Sequence, residues 1–216
     1  MYTLYIGNKN FSSWSLRPWV LMRHAGIPFR EQMVSLYAPE RTARIRAVSP
    51  NGRVPCLHDG DTVVWDTLAI AEYLAERHPG LWPADPVARA WARSVAAEMH
   101  SGFAELRNEF SMDLRLRQTA LAGAGAAADI ARIDSIWREG RSRFGSGGEF
   151  LCGPFGIVDA FWCPVAFRFR SYGVSLSGPA LAYQQQLLSL PAMVEWEGAA
   201  ALEREGPPVE QQAQQQ

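Results

Sequence analysis

The spacing of apolar residues in the first 79 positions alternates between the period of a strand and the period of a helix. Five consecutive strand-forming residues open the chain, and a turn at Asp59-Gly60-Asp61 separates two short apolar runs as in a β-hairpin. Apolar residues from Leu68 to Leu74 recur at helical spacing. The predicted elements are strand 2–6, helix 14–25, strand 29–36, a short helix within 37–48, strands 54–58 and 62–65, and a helix from 66. The pattern is therefore βαβαββα.

The chain after residue 89 reads as helix throughout. Residues 79–89 contain three prolines and one glycine, which is typical of a linker between domains. The run 157–172 is strongly apolar and aromatic, so it predicts a buried central helix. The predicted helices are 87–117, 126–144, 157–172, 179–188 and 191–204. We therefore expect an α/β domain at 1–79, an all-α helical bundle at 87–204, and a disordered Gln-rich tail at 205–216.

Charge and cysteine usage narrow the class of protein. The 216 residues carry a formal net charge of −1, which favours neither nucleic acid nor an anionic membrane as a partner. No apolar run reaches the roughly 18 residues of a membrane span. The three cysteines form no C-x-x-C pair and the four histidines are scattered, so we expect buried, inert thiols and no metal site. The N-terminus enters a strand without a targeting leader, and we expect a cytoplasmic protein.

Three serines lie where the first strand hands over to the first helix. They are Ser12, Ser13 and Ser15. The free N–H groups of a helix start attract negative charge, so this turn is suited to an anion. The serine hydroxyls could cap the helix, or they could donate hydrogen bonds to a bound anion or thiolate. Both interpretations are open at this point.

Two further features sit at element boundaries of the first domain. Val54-Pro55 precedes a strand; proline there can simply mark the boundary, or a cis bond can turn the valine backbone outward to pair with a peptide. Asp66-Thr67 begins a helix; it can be an N-cap, or Asp66 can bind an ammonium while Thr67 binds a carboxylate. Together with the serines, these features suit an extended peptide with an amino-acid headgroup at one end and an anion at the other. Glutathione fits that description.

These motifs resemble those of cytosolic glutathione transferases. The resemblance covers about residues 2–204 and rests mainly on three runs: 12–17 (SSWSLR), 49–55 (SPNGRVP) and 66–74 (DTLAIAEYL). It implies a thioredoxin-like N-terminal domain followed by an all-α helical-bundle domain, glutathione as co-substrate, and a homodimer. Asp159 is similar to the aspartate of the family's helix-initiating motif, with Gly156 in the place of the usual Ser or Thr, and we interpret it as a folding residue.

The Ser-Ser-x-Ser start is most similar to the zeta class, which includes maleylacetoacetate isomerases. In that class the first serine meets the glutathione sulfur, so the resemblance assigns Ser12 as the catalytic residue. The glutathione-binding residues that it implies are Ser12, Ser13, Arg53, Val54, Asp66 and Thr67. Two residues depart from the class pattern: Trp14 stands where zeta members have cysteine, and Arg53 where they have glutamine. These departures support a transferase more than an isomerase.

The expected chemistry is attack of the glutathione thiolate on a small hydrophobic electrophile. A free thiol has a pKa of about 8.5, and a hydroxyl donor plus a helix start could lower it by one to two units. The second domain would hold the electrophile. Candidate pocket residues are Trp14, Met99, His100, Phe103 and Arg107, with Phe161 and Phe167 beyond. Their helical spacing is equally typical of a core.

Three alternatives stay open from the sequence. Tyr5, at the end of the first strand, is a rival thiol partner, because other transferase classes use a tyrosine near that position. The protein could be a zeta-like, glutathione-dependent cis-trans isomerase. It could also be a non-catalytic protein that binds glutathione or a hydrophobic ligand. Disulfide exchange is disfavoured, because Ser12 and Ser15 occupy the C-x-x-C spacing and oxygen forms no mixed disulfide.

Overall fold

The structure, a computed structural model, describes residues 1–206. The first domain has the predicted order of elements: β1 (Tyr2–Ile6), α1 (Ser13–His24), β2 (Phe29–Met33), α2 (Arg41–Arg46), β3 (Cys56–Asp59), β4 (Thr62–Trp65) and α3 (Thr67–Arg77). The sheet order is β2-β1-β3-β4; β1 runs parallel to β2 and antiparallel to β3. The βαβαββα prediction is confirmed.

Helix α1 lies between the sheet and the second domain, which explains its unusual composition. Its side chains are buried on nearly every face, including Leu16, Trp19 and Val20. A helix that is buried on nearly all sides needs packing partners on all sides, and α1 packs against β1, α3 and the second domain. The residues at its start are therefore held rigidly between the two domains.

The second domain is entirely helical over the described residues. Its helices are α4 (Pro86–Ser101), α5 (Ala104–Glu109), α6 (Ala124–Arg143), α7 (Ile157–Ser171), α8 (Gly178–Ser189) and α9 (Pro191–Ala201). Helix α7 is buried along almost its whole length and packs against α1, as predicted for the apolar run 157–172. The predicted fold class, a thioredoxin-like domain followed by an all-α bundle, is confirmed.

The single long helix predicted over 87–117 is wrong. Helix α4 ends at Ser101, Phe103 adopts a left-handed backbone with φ 58°, and the short α5 ends at Glu109. Residues 110–123 contain no helix or strand. In that segment Phe110, Met112 and Leu114 are all buried. Burial of alternate residues is the period of extended chain, so core packing overrides helix propensity here.

Asp159 holds the start of α7, as the sequence interpretation proposes. Its carboxylate is fully buried and accepts hydrogen bonds from the N–H groups of Leu151 (3.1 Å) and Gly156 (2.9 Å) and from the Tyr183 hydroxyl (2.8 Å). Burial raises the pKa of this carboxyl to about 6, against those hydrogen bonds. The side chain joins α7, α8 and the loop before α7, which makes it a structural acceptor.

We expect Asp159→Ala to destabilise the fold by about 3 kcal/mol or more, because three buried donors lose their acceptor at roughly 1–3 kcal/mol each. Urea unfolding followed by circular dichroism measures the change. Asp134→Ala is the matched control: Asp134 pairs with Arg138 one turn along α6 at the surface, and its loss should cost no more than about 0.5 kcal/mol. Equal losses in both variants would contradict the assignment.

The end of the described chain returns to the first domain. Glu203 accepts hydrogen bonds from the consecutive N–H groups of Lys9 (2.6 Å) and Asn10 (3.1 Å), and the Ser35 hydroxyl donates to Glu205. These contacts fix the loop between β1 and α1, through Glu203, and the segment after β2, through Glu205, from outside the first domain. Of the tail predicted from 205, residues 207–216 lie outside the described residues.

Candidate functional site

Ser12 is the N-cap of α1 and is almost fully buried. Its Oγ accepts from the N–H of Ser15 at 3.3 Å, and the hydroxyls of Ser12 and Ser15 lie 2.7 Å apart. Ser15 Oγ also accepts from the N–H of Gly7 at 3.0 Å. The Ser12 hydroxyl donates its proton to Ser15 Oγ, and it could turn that proton to a ligand instead, because hydroxyl protons rotate to suit their partners. The cap and the anion-donor interpretations are therefore compatible.

Ser13 is the first residue of α1 and contacts the second domain directly. Its Oγ accepts from Nη2 of Arg168 on α7 at 3.3 Å. Arg168 is also buried, and it donates to the carbonyl of Phe110. Burial, followed by repulsion from Arg107, lowers the pKa of Arg168 to about 10, so it stays charged near neutral pH. The serine turn therefore contacts a buried cation, the Arg168 guanidinium.

Val54 presents unpaired backbone groups just before β3 begins. The Val54–Pro55 peptide bond is cis, which is one of the two possibilities that the sequence left open. Among the described residues, neither the N–H nor the C=O of Val54 makes a hydrogen bond within the chain. A peptide laid alongside this residue could pair with both groups, as an added strand does.

Asp66 and Thr67 begin α3 in an unusual backbone geometry. Asp66 has φ 71° and ψ 141°, a region sparsely populated by non-glycine residues. Its carboxylate accepts from the N–H of Leu68 at 2.9 Å, so it caps the helix, yet the residue stays exposed. His100 on α4 approaches it, with Nε2 at 3.3 Å from Asp66 Oδ1. The carboxylate is therefore reachable by a ligand ammonium.

Two adjoining cavities connect these features. One, of about 260 Å³, is lined by Trp14, Asn51, Arg53, Val54, Pro55, Asp66, Thr67 and His100. The other, of about 400 Å³, is lined by Phe11, Ser12, Ser13, Trp14, Leu36, Ile45, Gly52, Arg53 and Val54. Both share Trp14, Arg53 and Val54. One cavity thus contains Asp66 and the other contains Ser12 and Ser13, and the two adjoin at Val54 and Trp14.

Trp14 is surrounded by cationic and aromatic groups from both domains. The guanidinium carbon of Arg17 lies 4.3 Å from its ring centroid and that of Arg107 lies 4.9 Å away. The His100 ring meets it edge-on at 5.3 Å between centroids. Burial, and then repulsion from Arg107 and Arg168, lowers the pKa of Arg17 well below its usual range. The bulky ring fills space between the domains beside the serines.

The two cavities bring together every glutathione-site residue that the resemblance implies. The proposed electrophile pocket is less complete. Trp14 and His100 line a cavity, whereas Met99 and Phe103 belong to the core, and the guanidinium of Arg107 donates to the carbonyls of Met99 and Gly102. Phe161 and Phe167 are also core residues.

Tyr5, the rival thiol partner, lines neither cavity and packs against His58 at 4.8 Å between ring centroids. The structure therefore gives no support to Tyr5 as the thiol partner.

The sequence reasoning missed two polar contributors. Asn51 lines the smaller cavity, and its side-chain oxygen accepts from the Ser49 hydroxyl and the Arg53 N–H. Arg168 reaches Ser13 from 155 positions away. A charged residue within the apolar run 157–172 was an available signal, because a buried arginine needs a partner.

The cysteines lie outside the cavity walls. All three are free thiols; Cys56 and Cys163 are buried and Cys152 is half-buried. Burial raises the pKa of each, that of Cys152 to about 12, so none is poised as a nucleophile. Residues 1–206 contain no group of three or more His, Cys, Asp or Glu side chains arranged for a metal. Within the same residues, no helix is long and apolar enough to cross a membrane.

Comparison with known proteins identifies relatives over most of the chain. The family model for the glutathione S-transferase N-terminal domain matches residues 11–77. A probable maleylacetoacetate isomerase from Caenorhabditis elegans is 31% identical over 181 residues, which is 81% of each chain. A maleylacetoacetate isomerase from Pseudomonas aeruginosa is 33% identical over 190 residues, covering 82% of this chain and 84% of the relative.

Solved structures show the same fold. A glutathione transferase homolog from Burkholderia GL BGR1, crystallised with bound glutathione, superposes with a TM-score of 0.67 at 23% identity. The match covers 93% of this chain and 97% of that one. The arrangement of a small α/β domain on an all-helical domain is therefore shared over most of the chain.

Proposed function

The chain belongs to the cytosolic glutathione S-transferase family, and we propose that it activates the glutathione thiol through Ser12 for attack on a small electrophile. Family membership supplies the class of enzyme, a glutathione transferase with glutathione as co-substrate. The maleylacetoacetate isomerase relatives support the likeness to the zeta class. The role of the serine and the residues that bind glutathione are our proposal.

One observation carries this proposal: the two adjoining cavities join Asp66 and Thr67 to Ser12 by way of the unpaired Val54 backbone. The γ-glutamyl ammonium would bind the Asp66 carboxylate, and its carboxylate would bind Thr67. The cysteinyl backbone would pair with Val54. This arrangement carries the sulfur into the larger cavity, toward the serines.

Ser12 would act as a hydrogen-bond donor and not as a nucleophile. The Ser12 proton, which Ser12 donates to Ser15 Oγ in the structure, would rotate to the sulfur when glutathione binds, while the helix start adds positive potential. The thiol loses its proton to water and the hydroxyls keep theirs. A hydroxyl that makes a stronger hydrogen bond to the thiolate than to the thiol stabilises the ionised form, and it therefore lowers the pKa of the thiol toward neutral pH. The thiolate then attacks the electrophilic carbon.

Cis-trans isomerisation is the second candidate activity, and the names of the relatives favour it. In that reaction the thiolate would add reversibly to a conjugated double bond to give an enolate. The carbon–carbon bond, now single, rotates, and the thiolate is expelled as the double bond forms again. Both reactions need the same activated thiolate. The two reactions differ in the electrophile that the thiolate attacks. Trp14, which stands where zeta members have cysteine, would narrow the space for that electrophile beside the sulfur.

Three assays on the purified full chain test the proposal. We expect retention on immobilised glutathione, elution by free glutathione, and conjugation of a chloronitrobenzene substrate. A cis-enedione acid assayed in parallel distinguishes isomerase from transferase activity. Failure to bind and to turn over either substrate would exclude an enzymatic role for this site, while binding without turnover would favour a ligand-binding protein.

We further propose a homodimer in the cytoplasm, which sedimentation and cell fractionation test.

Glutathione affinity should fall at acidic pH because of His100. Burial, and then the charges of Arg17 and Arg107, lower the pKa of His100 below 6.5 despite Asp66 beside it. As the pH falls through that pKa, the imidazole gains a charge 3.3 Å from Asp66 and competes with the glutathione ammonium. We expect about threefold weaker binding at pH 5.5 than at pH 7.5 by calorimetry. His100→Gln should remove this dependence, and its persistence there would contradict the role.

A further inference from the structure

A charged hydrogen bond between the domains ends at the serine turn. Arg168 on α7 is 5% exposed, and its Nη2 donates to Ser13 Oγ at 3.3 Å. Its Nη1 donates to the carbonyl of Phe110, which fixes the guanidinium from the other side. Ser13 is itself 5% exposed and lines the larger cavity. A buried cation is therefore hydrogen-bonded to the hydroxyl of a residue that lines the site.

The Ser13 hydroxyl has its proton available. A hydroxyl carries one donor and two acceptor positions, and within residues 1–206 the only hydrogen bond to Ser13 Oγ is the one it accepts from Arg168. Ser12, by contrast, already shares a hydroxyl–hydroxyl bond with Ser15. A hydroxyl that accepts from a cation is a better donor in turn, because such hydrogen bonds polarise one another.

The charges around Arg168 are mostly positive. Arg107 on α5 and Arg17 on α1 are cations near Arg168, and the three charges repel one another. The phenol of Tyr172 lies near Arg168 at the same end of α7. Arg17 is 1% exposed, and its three guanidinium nitrogens have no hydrogen-bond partner within the described chain. The carboxylate that offsets Arg17 is Asp66, across the site, and Cys163 lies nearby as a neutral thiol. An anion at Ser13 would reduce this repulsion.

We propose that Arg168 is a positioning residue that makes Ser13 a second hydrogen-bond donor to the glutathione sulfur. In this arrangement Ser12 and Ser13 both donate to the thiolate, and the helical domain supplies the charge that strengthens the second donor. No proton passes to Arg168 or Ser13; the thiol proton leaves to water. Ionisation of the co-substrate thus depends on how α7 docks against α1. This inference rests on the proposed function.

The test is a pH titration of the bound thiol, followed by the ultraviolet absorbance of the thiolate with glutathione saturating the full chain. We expect Arg168→Met to raise the pKa of bound glutathione by about one unit, a roughly tenfold loss of thiolate at pH 6.5. Arg168→Lys keeps the charge without the planar fork and should give a smaller shift. Ser13→Ala should give the same shift as Arg168→Met, which keeps the test informative if the arginine variants fold poorly.

The double variant separates positioning from a general field effect. If Arg168 acts through Ser13, then Ser13→Ala with Arg168→Met shifts the thiol pKa no further than Ser13→Ala alone. Arg170→Met is the matched control: Arg170 lies two positions further on α7 and pairs with Glu197 on α9, so its removal should leave the thiol pKa unchanged.

The outcomes distinguish this inference from the proposed function. If wild-type protein binds no glutathione, or binds it with the pKa of a free thiol, the proposed function itself fails. If the wild-type thiol pKa is depressed but neither Ser13→Ala nor the Arg168 variants raise it, the inference alone fails. Additive shifts in the double variant, or an equal shift in Arg170→Met, would also overturn it.

Discussion

Ser12→Ala is expected to lower kcat/KM for conjugation by about tenfold at pH 6.5. The Ser12 hydroxyl supplies one donor to the thiolate, and a loss of about one unit of pKa depression reduces the ionised thiol by roughly that factor. The deficit should shrink as the pH rises toward 9, because the thiol then ionises without help. Steady-state rates with a chloronitrobenzene substrate from pH 6 to 9 measure it.

The capping role of Ser12 must be separated from its role at the sulfur. Ser12 accepts the Ser15 N–H, so alanine also costs about 1 kcal/mol of stability, whereas glycine at an N-cap costs only a few tenths. Ser12→Gly therefore lacks the hydroxyl but keeps most of the stability. Equal losses of activity in the two variants would assign the effect to the donor. Near-normal activity in Ser12→Gly would leave Ser12 as a cap.

Asp66→Asn is expected to weaken glutathione binding by about tenfold. The substitution keeps the helix cap, since asparagine caps as well as aspartate, and it removes the charge that would bind the γ-glutamyl ammonium. Hydrogen bonds to charged groups contribute roughly 1.5–3 kcal/mol, and the exposure of Asp66 puts the effect near the lower end. Isothermal titration calorimetry measures the dissociation constant directly.

A glutathione analogue without the α-amino group sharpens this test. It should bind wild type about as weakly as glutathione binds Asp66→Asn, and the substitution should not weaken it further. Asp61→Asn is the matched control, because Asp61 lies exposed in the β3–β4 turn of the same domain and lines neither cavity. If Asp66→Asn weakens the binding of the analogue as much as the binding of glutathione, Asp66 does not bind the ammonium.

The serine end of the proposed glutathione site depends on α1 being held from both sides. Glu203, which accepts from Lys9 and Asn10, fixes the loop before α1, and Arg168 fixes its first residue. The first domain carries the motifs, while the second domain fixes the Ser13 hydroxyl through Arg168.

Local features were predictable because they depend on residues a few positions apart. Strand and helix periods gave the order βαβαββα, and the N-cap roles of Ser12 and Asp66 follow from the preference of short polar side chains for helix starts. The helix predicted over 87–117 failed because Phe110, Met112 and Leu114 pack as extended chain, and their burial outweighs helix propensity.

The sequence by itself determined the family and the two-part fold, and it predicted the residues of the proposed glutathione site, since each rests on short motifs whose geometry is local. Only the tertiary structure shows that Arg168 donates a hydrogen bond to the Ser13 hydroxyl and that His100 lies next to Asp66. It also shows that Met99 and Phe103 belong to the core. Helical spacing fixes the face on which a side chain lies, but not the element that meets that face. The docking of α7 and α4 against α1 supplies that information.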